Sequence, residues 1–160
     1  MTGSTHKKVH VERFDRETLK GYVNPQTWLA AGGIELMSLA GAVAAVPYED
    51  VKVVGFVRDL DGEGFAREKR LFTSRPKAEG LWMRLLFKDG DVLDGLMANN
   101  LLQLSPYGFM VAPPDPSSNY QKAFVPRAAL ADLKILGVIG SPLKRRKRAP
   151  PVEGQIKLFE

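Results

Sequence analysis

Short apolar or alternating runs, separated by polar breaks rich in glycine and proline, recur from residue 9 to residue 136 and predict strands rather than helices. Residues 9–14 alternate in their first part and predict a strand, residues 15–18 a turn, and residues 19–23 the returning strand, which Asn24-Pro25 breaks. Gly32-Gly33 introduces a third strand at 34–39. The fourth and fifth, at 42–46 and 51–57, are separated by a break that starts at Pro47. The order then recurs: a strand at 81–87, a turn at 88–91 with hairpin-forming Asp89-Gly90, and strands at 92–97, 108–112, 122–125 and 132–136. After Gly137 the strand pattern stops.

The two halves match at particular residues. Phe14, a charged turn and Leu19-Lys20-Gly21 parallel Phe87, a charged turn and Leu93-Asp94-Gly95. Gly33-Ile34 parallels Gly108-Phe109, Val46-Pro47 parallels Val125-Pro126, and residues 51–55 parallel 133–137. A period of about 75–80 residues is too long for a solenoid and fits two small domains. The expectation is an all-β protein of two tandem SH3-like or Sm-like barrels: a first unit at 1–57, a linker at 58–80, a second unit at 81–140 and a disordered basic tail at 141–160.

Charge sharpens this division. The chain of 160 residues carries 23 basic and 18 acidic side chains, net +5. Residues 141–160 hold six basic and two acidic residues, net +4, and residues 1–140 are near neutral with 17 against 16. The basic character therefore belongs to the tail, which moves any nucleic-acid contact off the folded body. Cysteine is absent, which removes disulfides, thiolate metal sites and cysteine nucleophiles. No apolar run approaches the roughly 18 residues of a membrane-spanning helix, and the polar start lacks a signal-peptide core. A cytoplasmic protein without membrane partners is expected.

Gly55-Phe-Val-Arg-Asp-Leu-Asp-Gly62, Phe87-Lys-Asp-Gly-Asp-Val-Leu-Asp-Gly95, Gly108-Phe109 and Pro113-Pro-Asp-Pro-Ser-Ser-Asn119 together resemble the motifs of an uncharacterised family of bacterial tandem β-domains, over roughly residues 8–137. The chain departs from the family by a longer first half around residues 40–45. Some members of that family are fused to PilZ-type second-messenger receptors, so the resemblance implies an accessory or signalling module. No PilZ-like arginine motif is evident here.

Catalytic chemistry finds little to rest on. The two histidines, His6 and His10, fall in the first tail and strand and are expected to be exposed. With no cysteine beside them, neither a metal site nor a cofactor is expected. Asp59-Leu-Asp-Gly-Glu-Gly64 faintly resembles a calcium loop but lacks the distal glutamate, and reads as a turn. Asp89 and Asp91 are expected to lie in an exposed turn where nothing perturbs them. The loop around Asn119 and Tyr120, stiffened by Pro113, Pro114 and Pro116, has two readings: a rigid loop presenting Asn119 and Tyr120 to a ligand, or a turn built by its own Asp, Ser and Asn side chains.

The tail carries the sharpest signal. Lys144, Arg145, Arg146, Lys147 and Arg148 form a continuous cationic run suited to DNA or RNA phosphates. Beyond a proline-containing stretch, Gln155-Ile-Lys-Leu-Phe159 is similar to the peptide by which bacterial replication and repair proteins bind the β sliding clamp. That resemblance gives Gln155 the polar edge of the pocket, Ile156 a small subsite, and Leu158 and Phe159 the buried anchors. Lys157 departs from the commoner Ser or Asp. The expected function is a non-enzymatic adaptor tethered to the clamp and to DNA. The alternatives are an Sm-like nucleic-acid-binding module and an accessory domain in second-messenger signalling.

Overall fold

The computed structural model describes residues 5–64, 70–115 and 117–140, and the tail residues named above lie outside that range. Regular structure among the described residues is strand, apart from short 3-10 turns. The first unit comprises β1 (Lys7–Arg13), β2 (Thr18–Val23), β3 (Leu29–Ala30), β4 (Gly33–Met37), β5 (Val43–Val46) and β6 (Val51–Val57). The second comprises β7 (Gly80–Phe87), β8 (Val92–Met97), β9 (Gly108–Val111), β10 (Tyr120–Pro126) and β11 (Leu130–Ile139). The last strand runs two residues past Gly137, where the sequence pattern stops. It stays paired with β7 as far as Ile139↔Gly80 by shifting register between Ile135 and Gly137.

Both units follow the same meander. In the first, β1 pairs β2, β2 pairs β4, β4 pairs β5, and β6 returns to β1, all antiparallel. In the second, β7 pairs β8, a single bridge Leu96↔Ala112 joins β8 to β9, β9 pairs β10, and β11 returns to β7. The tandem all-β expectation holds, and the duplication extends to individual bonds. The Arg13 N–H donates to the Glu17 carbonyl at 2.9 Å, and the Phe87 N–H donates to the Asp91 carbonyl at 2.8 Å. A β-carbon on Gly33 would overlap the Val46 carbonyl, as one on Gly108 would overlap that of Val125. Pro47 and Pro126 then open matching 3-10 turns, Tyr48–Asp50 and Arg127–Ala129, with φ/ψ of −58/141° and −60/142°.

These bonds correct two sequence parallels. The equivalent of Phe87 is Arg13, not Phe14. The equivalent of Val51 is Leu130, not Leu133, because Val51 pairs Arg13 where Leu130 pairs Phe87. Each of those two strands then shifts register by one residue, at Lys52 and at Ala131. Apolar spacing does not reveal such a bulge.

The units are not separate sheets. Strand β10 pairs β6, with Phe124↔Val54 and Ala123↔Gly55 in register, so β10 and β9 extend the first unit's sheet while β11, β7 and β8 form a second. The β6–β10 ladder is a wall with one core on each side. Phe124 faces Val9, Val11, Trp28, Ile34 and Val54 in the first core. Val53 faces Met83, Leu85, Phe87, Leu93 and Val125 in the second. Each unit thus completes its neighbour's core.

Candidate functional site

A cleft of about 370 Å³ opens where the two units meet. It lies between equivalent segments of the duplication. One is the stretch after β2, with Pro25, Trp28 and Leu29. The other is the stretch after β8, from Ala98 to Ser105, facing β9 and Phe124. It opens on that side because the backbones of β8 and β9 pair only at the bridge, where Leu96 and Ala112 exchange two bonds of 2.9 and 2.8 Å. Beyond the bridge the chain bulges through a 3-10 turn, Leu101–Gln103, whose start is capped by the Asn100 side chain accepting from the Leu102 N–H at 3.1 Å.

The cleft is apolar with a few polar groups at its walls, the usual composition of a ligand pocket. Trp28, only 4% exposed, packs edge-on against Phe124 and Phe56 with ring centroids 5.1 and 5.4 Å apart. Met97, Leu104 and Met110 add apolar surface, and Asn100, Gln103, Ser105 and Lys122 add polar atoms. The adjoining turn leaves Leu101 and Leu102 in solvent, 73% and 96% exposed. These exposed apolar residues at its mouth make the cleft the candidate site of the molecule. Sequence reasoning missed this site. Its signal was the leucine-rich 101–104 stretch between Asn99-Asn100 and Pro106, apolar residues where turn composition predicts polar ones.

Behind the seam, two motifs that lie far apart in sequence form one lock. The Asn119 carboxamide accepts from the Asp59 N–H and donates to the Asp59 carbonyl, both at 2.9 Å. The Arg58 N–H donates to the Asn119 carbonyl at 3.0 Å. Tyr120, 1% exposed, lies over Gly55, where any β-carbon would overlap its ring, and its hydroxyl donates to Glu12. Burial first and Glu12 second push the Tyr120 phenol far above its ordinary value. The side chains of Asn119 and Tyr120 therefore face the body. The loop before them is held by its own Asx and Ser bonds, Asp115 Oδ1 accepting from the Ser117 N–H and Ser118 Oγ from the Tyr120 N–H.

The same fold-back buries His10, contrary to the expected exposure. Its Nε2 lies 2.7 Å from the Leu60 carbonyl, which can only accept, so Nε2 carries the proton. Residues 59–62 fold across β1 as a turn, with the Asp61 N–H donating to Asp59 Oδ1 at 3.0 Å and the Gly62 N–H to the Asp59 carbonyl at 3.0 Å. Among the described residues no group of three or more carboxylates and histidines is placed to hold a metal ion.

Two ion-pair clusters complete the seam and the outer face of the second unit. Lys52, at the β6 bulge, crosses to the second unit's hairpin and donates to Asp89 at 2.7 Å and to Asp91. Arg70 Nη1 lies 3.2 Å from Asp91. The hydrogen bond from Lys52 holds the Asp91 carboxyl below its ordinary value, with Arg70 adding to it, so Asp91 is not the unperturbed turn carboxylate the sequence implied. Asp94 is fully buried. It accepts from Arg84 Nε and Nη2 at 2.7 and 3.0 Å, from the Phe72 N–H at 3.1 Å, and from the Trp82 indole at 3.4 Å. This carboxylate fastens the end of the inter-unit connection onto the second sheet.

Lys144, Arg145, Arg146, Lys147 and Arg148, and Gln155, Ile156, Leu158 and Phe159, lie outside the described residues. No helix among the described residues is long and apolar enough to cross a membrane. The chain belongs to a family of unknown function, DUF6982, whose model matches residues 5–137. No curated protein and no solved structure matches it.

Proposed function

We propose that the chain is a non-enzymatic adaptor of bacterial DNA replication or repair. In this reading its tail engages the β sliding clamp and DNA, while its body holds a further ligand at the seam cleft. The observation that carries the tail's part is the position of Gln155-Ile-Lys-Leu-Phe159, which begins sixteen residues past the end of β11 at Ile139. Sixteen residues span at most about 55 Å, enough for a peptide on one protein to reach a pocket on another while the body stays free. Burying Leu158 and Phe159 contributes about 1.5–3 kcal/mol each, which with main-chain bonds supports micromolar affinity. Lys144 to Arg148 lie between body and peptide, where each neutralised phosphate releases counterions. Supporting the body's part is the apolar cleft with its exposed leucine rim.

Calorimetric titration of the clamp with the full chain tests the reading. Micromolar binding that Leu158→Ala with Phe159→Ala abolishes is the expected result. Absence of binding, or binding indifferent to that pair of substitutions, overturns it.

A further inference from the structure

The duplication leaves two strand edges without the partners that their equivalents have. Within the chain, the last strand of the first unit, β6, pairs the last but one of the second, β10. The equivalent of β6 is β11, and its outer edge carries no partner strand among the described residues. The equivalent of β10 is β5, which pairs only β4.

The exposure of the two edges follows this absence. Val54, covered by β10, is fully buried, yet its equivalent Leu133 is only partly buried. Phe56 is packed against Trp28 and the first core, whereas its equivalent Ile135 is 56% exposed. Leu136 and Val138 on the same strand are 39% and 57% exposed. On β5, Val43 is 66% exposed, Ala44 and Ala45 are exposed beside it, and the strand holds no charged residue. Soluble proteins normally blunt such edges with charge, proline or a covering segment; β5 has neither charge nor proline, and β11 has Asp132 and Lys134.

We infer that this chain self-associates head to tail, the β11 edge of one copy pairing the β5 edge of the next and repeating between molecules the β6–β10 ladder inside each. Carrying the internal register across sets Ala45 opposite Leu133, Ala44 opposite Lys134 and Val43 opposite Ile135. Side-chain volumes exchange at one position of the ladder. Inside the chain, Tyr120 lies over Gly55; between copies, Gly41 meets the side of the ladder that carries Lys134. Asp132 stands where Val53 does and Ala45 where Phe124 does, so the contact between copies buries less apolar surface than the internal wall. Association is therefore concentration-dependent. The contact is heterologous, which gives a ring if the rotation closes and a filament if it does not.

Sedimentation velocity of the full chain over a concentration series tests this, alongside Val43→Lys, which blocks the β5 edge, and Ile135→Lys, which blocks the β11 edge. Both sites are more than half exposed, so folding persists, as circular dichroism would verify. Ala44→Lys and Leu136→Lys serve as a second pair. The expected result is a sedimentation coefficient that rises with concentration for the natural sequence and stays monomeric for each variant alone. A 1:1 mixture of the two variants forms dimers and nothing larger, because it contains one good edge of each kind. A natural sequence that is monomeric throughout overturns the inference. So does assembly that survives Val43→Lys, which would place the contact between two β11 edges or on another segment, and so does a mixture that remains monomeric.

Discussion

Asn119 and Asp59, sixty residues apart, are joined by two hydrogen bonds that use both ends of one carboxamide. A backbone N–H and C=O of the inter-unit connection are satisfied by a single side chain from the segment before β10, just where β10 joins β6. Asn119→Ala removes both bonds and is expected to destabilise the fold by about 1–3 kcal/mol in urea denaturation. Asn119→Asp keeps the acceptor but faces a carboxylate oxygen toward the Asp59 carbonyl, so it is expected to recover little of that loss. Full stability of either variant would refute the lock.

The β6–β10 wall predicts that the two units unfold together. Trp28 lies in the first core, and Trp82 lies on the second sheet, edge-on to Phe72 at 6.1 Å. Within each single-tryptophan variant, Trp28→Phe and Trp82→Phe, tryptophan fluorescence and far-UV circular dichroism should therefore report coincident urea transitions. Phe124→Ala, made on a second-unit strand, should shift the transition seen by Trp28 and by Trp82 equally, by about 3–5 kcal/mol. Separate midpoints would show that the wall does not couple the cores.

Strand positions were legible because alternation and turn chemistry are local, and the duplication was legible because turn glycines and prolines repeat. Gly33 and Gly108 could be paired from sequence since each must let a neighbouring carbonyl approach. The Val51–Leu130 equivalence could not, because a bulge changes register without changing composition. His10 was misplaced for a related reason: its burial depends on residues 59–62 folding back over β1, a contact fifty residues away in sequence. The cleft was hidden because its walls come from two units whose contact through β6 and β10 no periodicity announces. The 113–119 and 55–62 motifs were visible separately, but only the fold shows that they touch.

The two equivalent hairpin turns differ at one residue under strain. Gly90 occupies the left-handed position of the second turn at φ 94°, and Arg16 occupies that of the first at φ 73°. A β-carbon there costs about 1–2 kcal/mol relative to the right-handed region, a penalty glycine avoids. Arg16→Gly is expected to raise stability by about 0.5–1 kcal/mol, even though it forfeits an exposed charge and loosens the unfolded chain. Gly90→Arg should destabilise by a similar amount. Thermal melts of the two variants, moving in opposite directions, would establish the equivalence.

The Lys52 bridge predicts a particular pH profile. Asp91 is held below its ordinary 3.8 by the hydrogen bond from Lys52, so its contribution is present above that value and disappears as pH falls through the lower folded value. Burial alone would depress Lys52, but its bonds to Asp89 and Asp91 outweigh this and raise it above 10.5. Its contribution is therefore present below pH 10.5 and is lost as pH rises through the folded value. Between the natural chain and Lys52→Met, the difference in melting temperature should be flat across neutral pH and close at both extremes. Asp91 is 44% exposed, so the gap should be modest, below about 4 °C, and narrower in high salt. A gap unchanged at pH 3 would contradict the assignment.

The cleft's chemistry can be probed with a fluorescent dye. An anilinonaphthalene sulfonate dye combines apolar rings with one anionic group, matching Met97, Leu104 and Met110 beside Lys122. Dye fluorescence should rise on binding and quench Trp28 by energy transfer, and Trp28→Phe should abolish that transfer. Leu104→Asp with Met110→Asp removes about 1.5 kcal/mol or more of apolar contact and places negative charge beside the sulfonate, so affinity should fall at least about tenfold. Leu104 and Met110 are 39% and 37% exposed, so the melting temperature should change little. Lys122→Ala should weaken binding less, and the weakening should vanish in high salt, where screening removes the lysine's attraction. Dye binding unaffected by the paired aspartates would place the apolar site elsewhere, with the exposed β5 and β11 edges the first to examine.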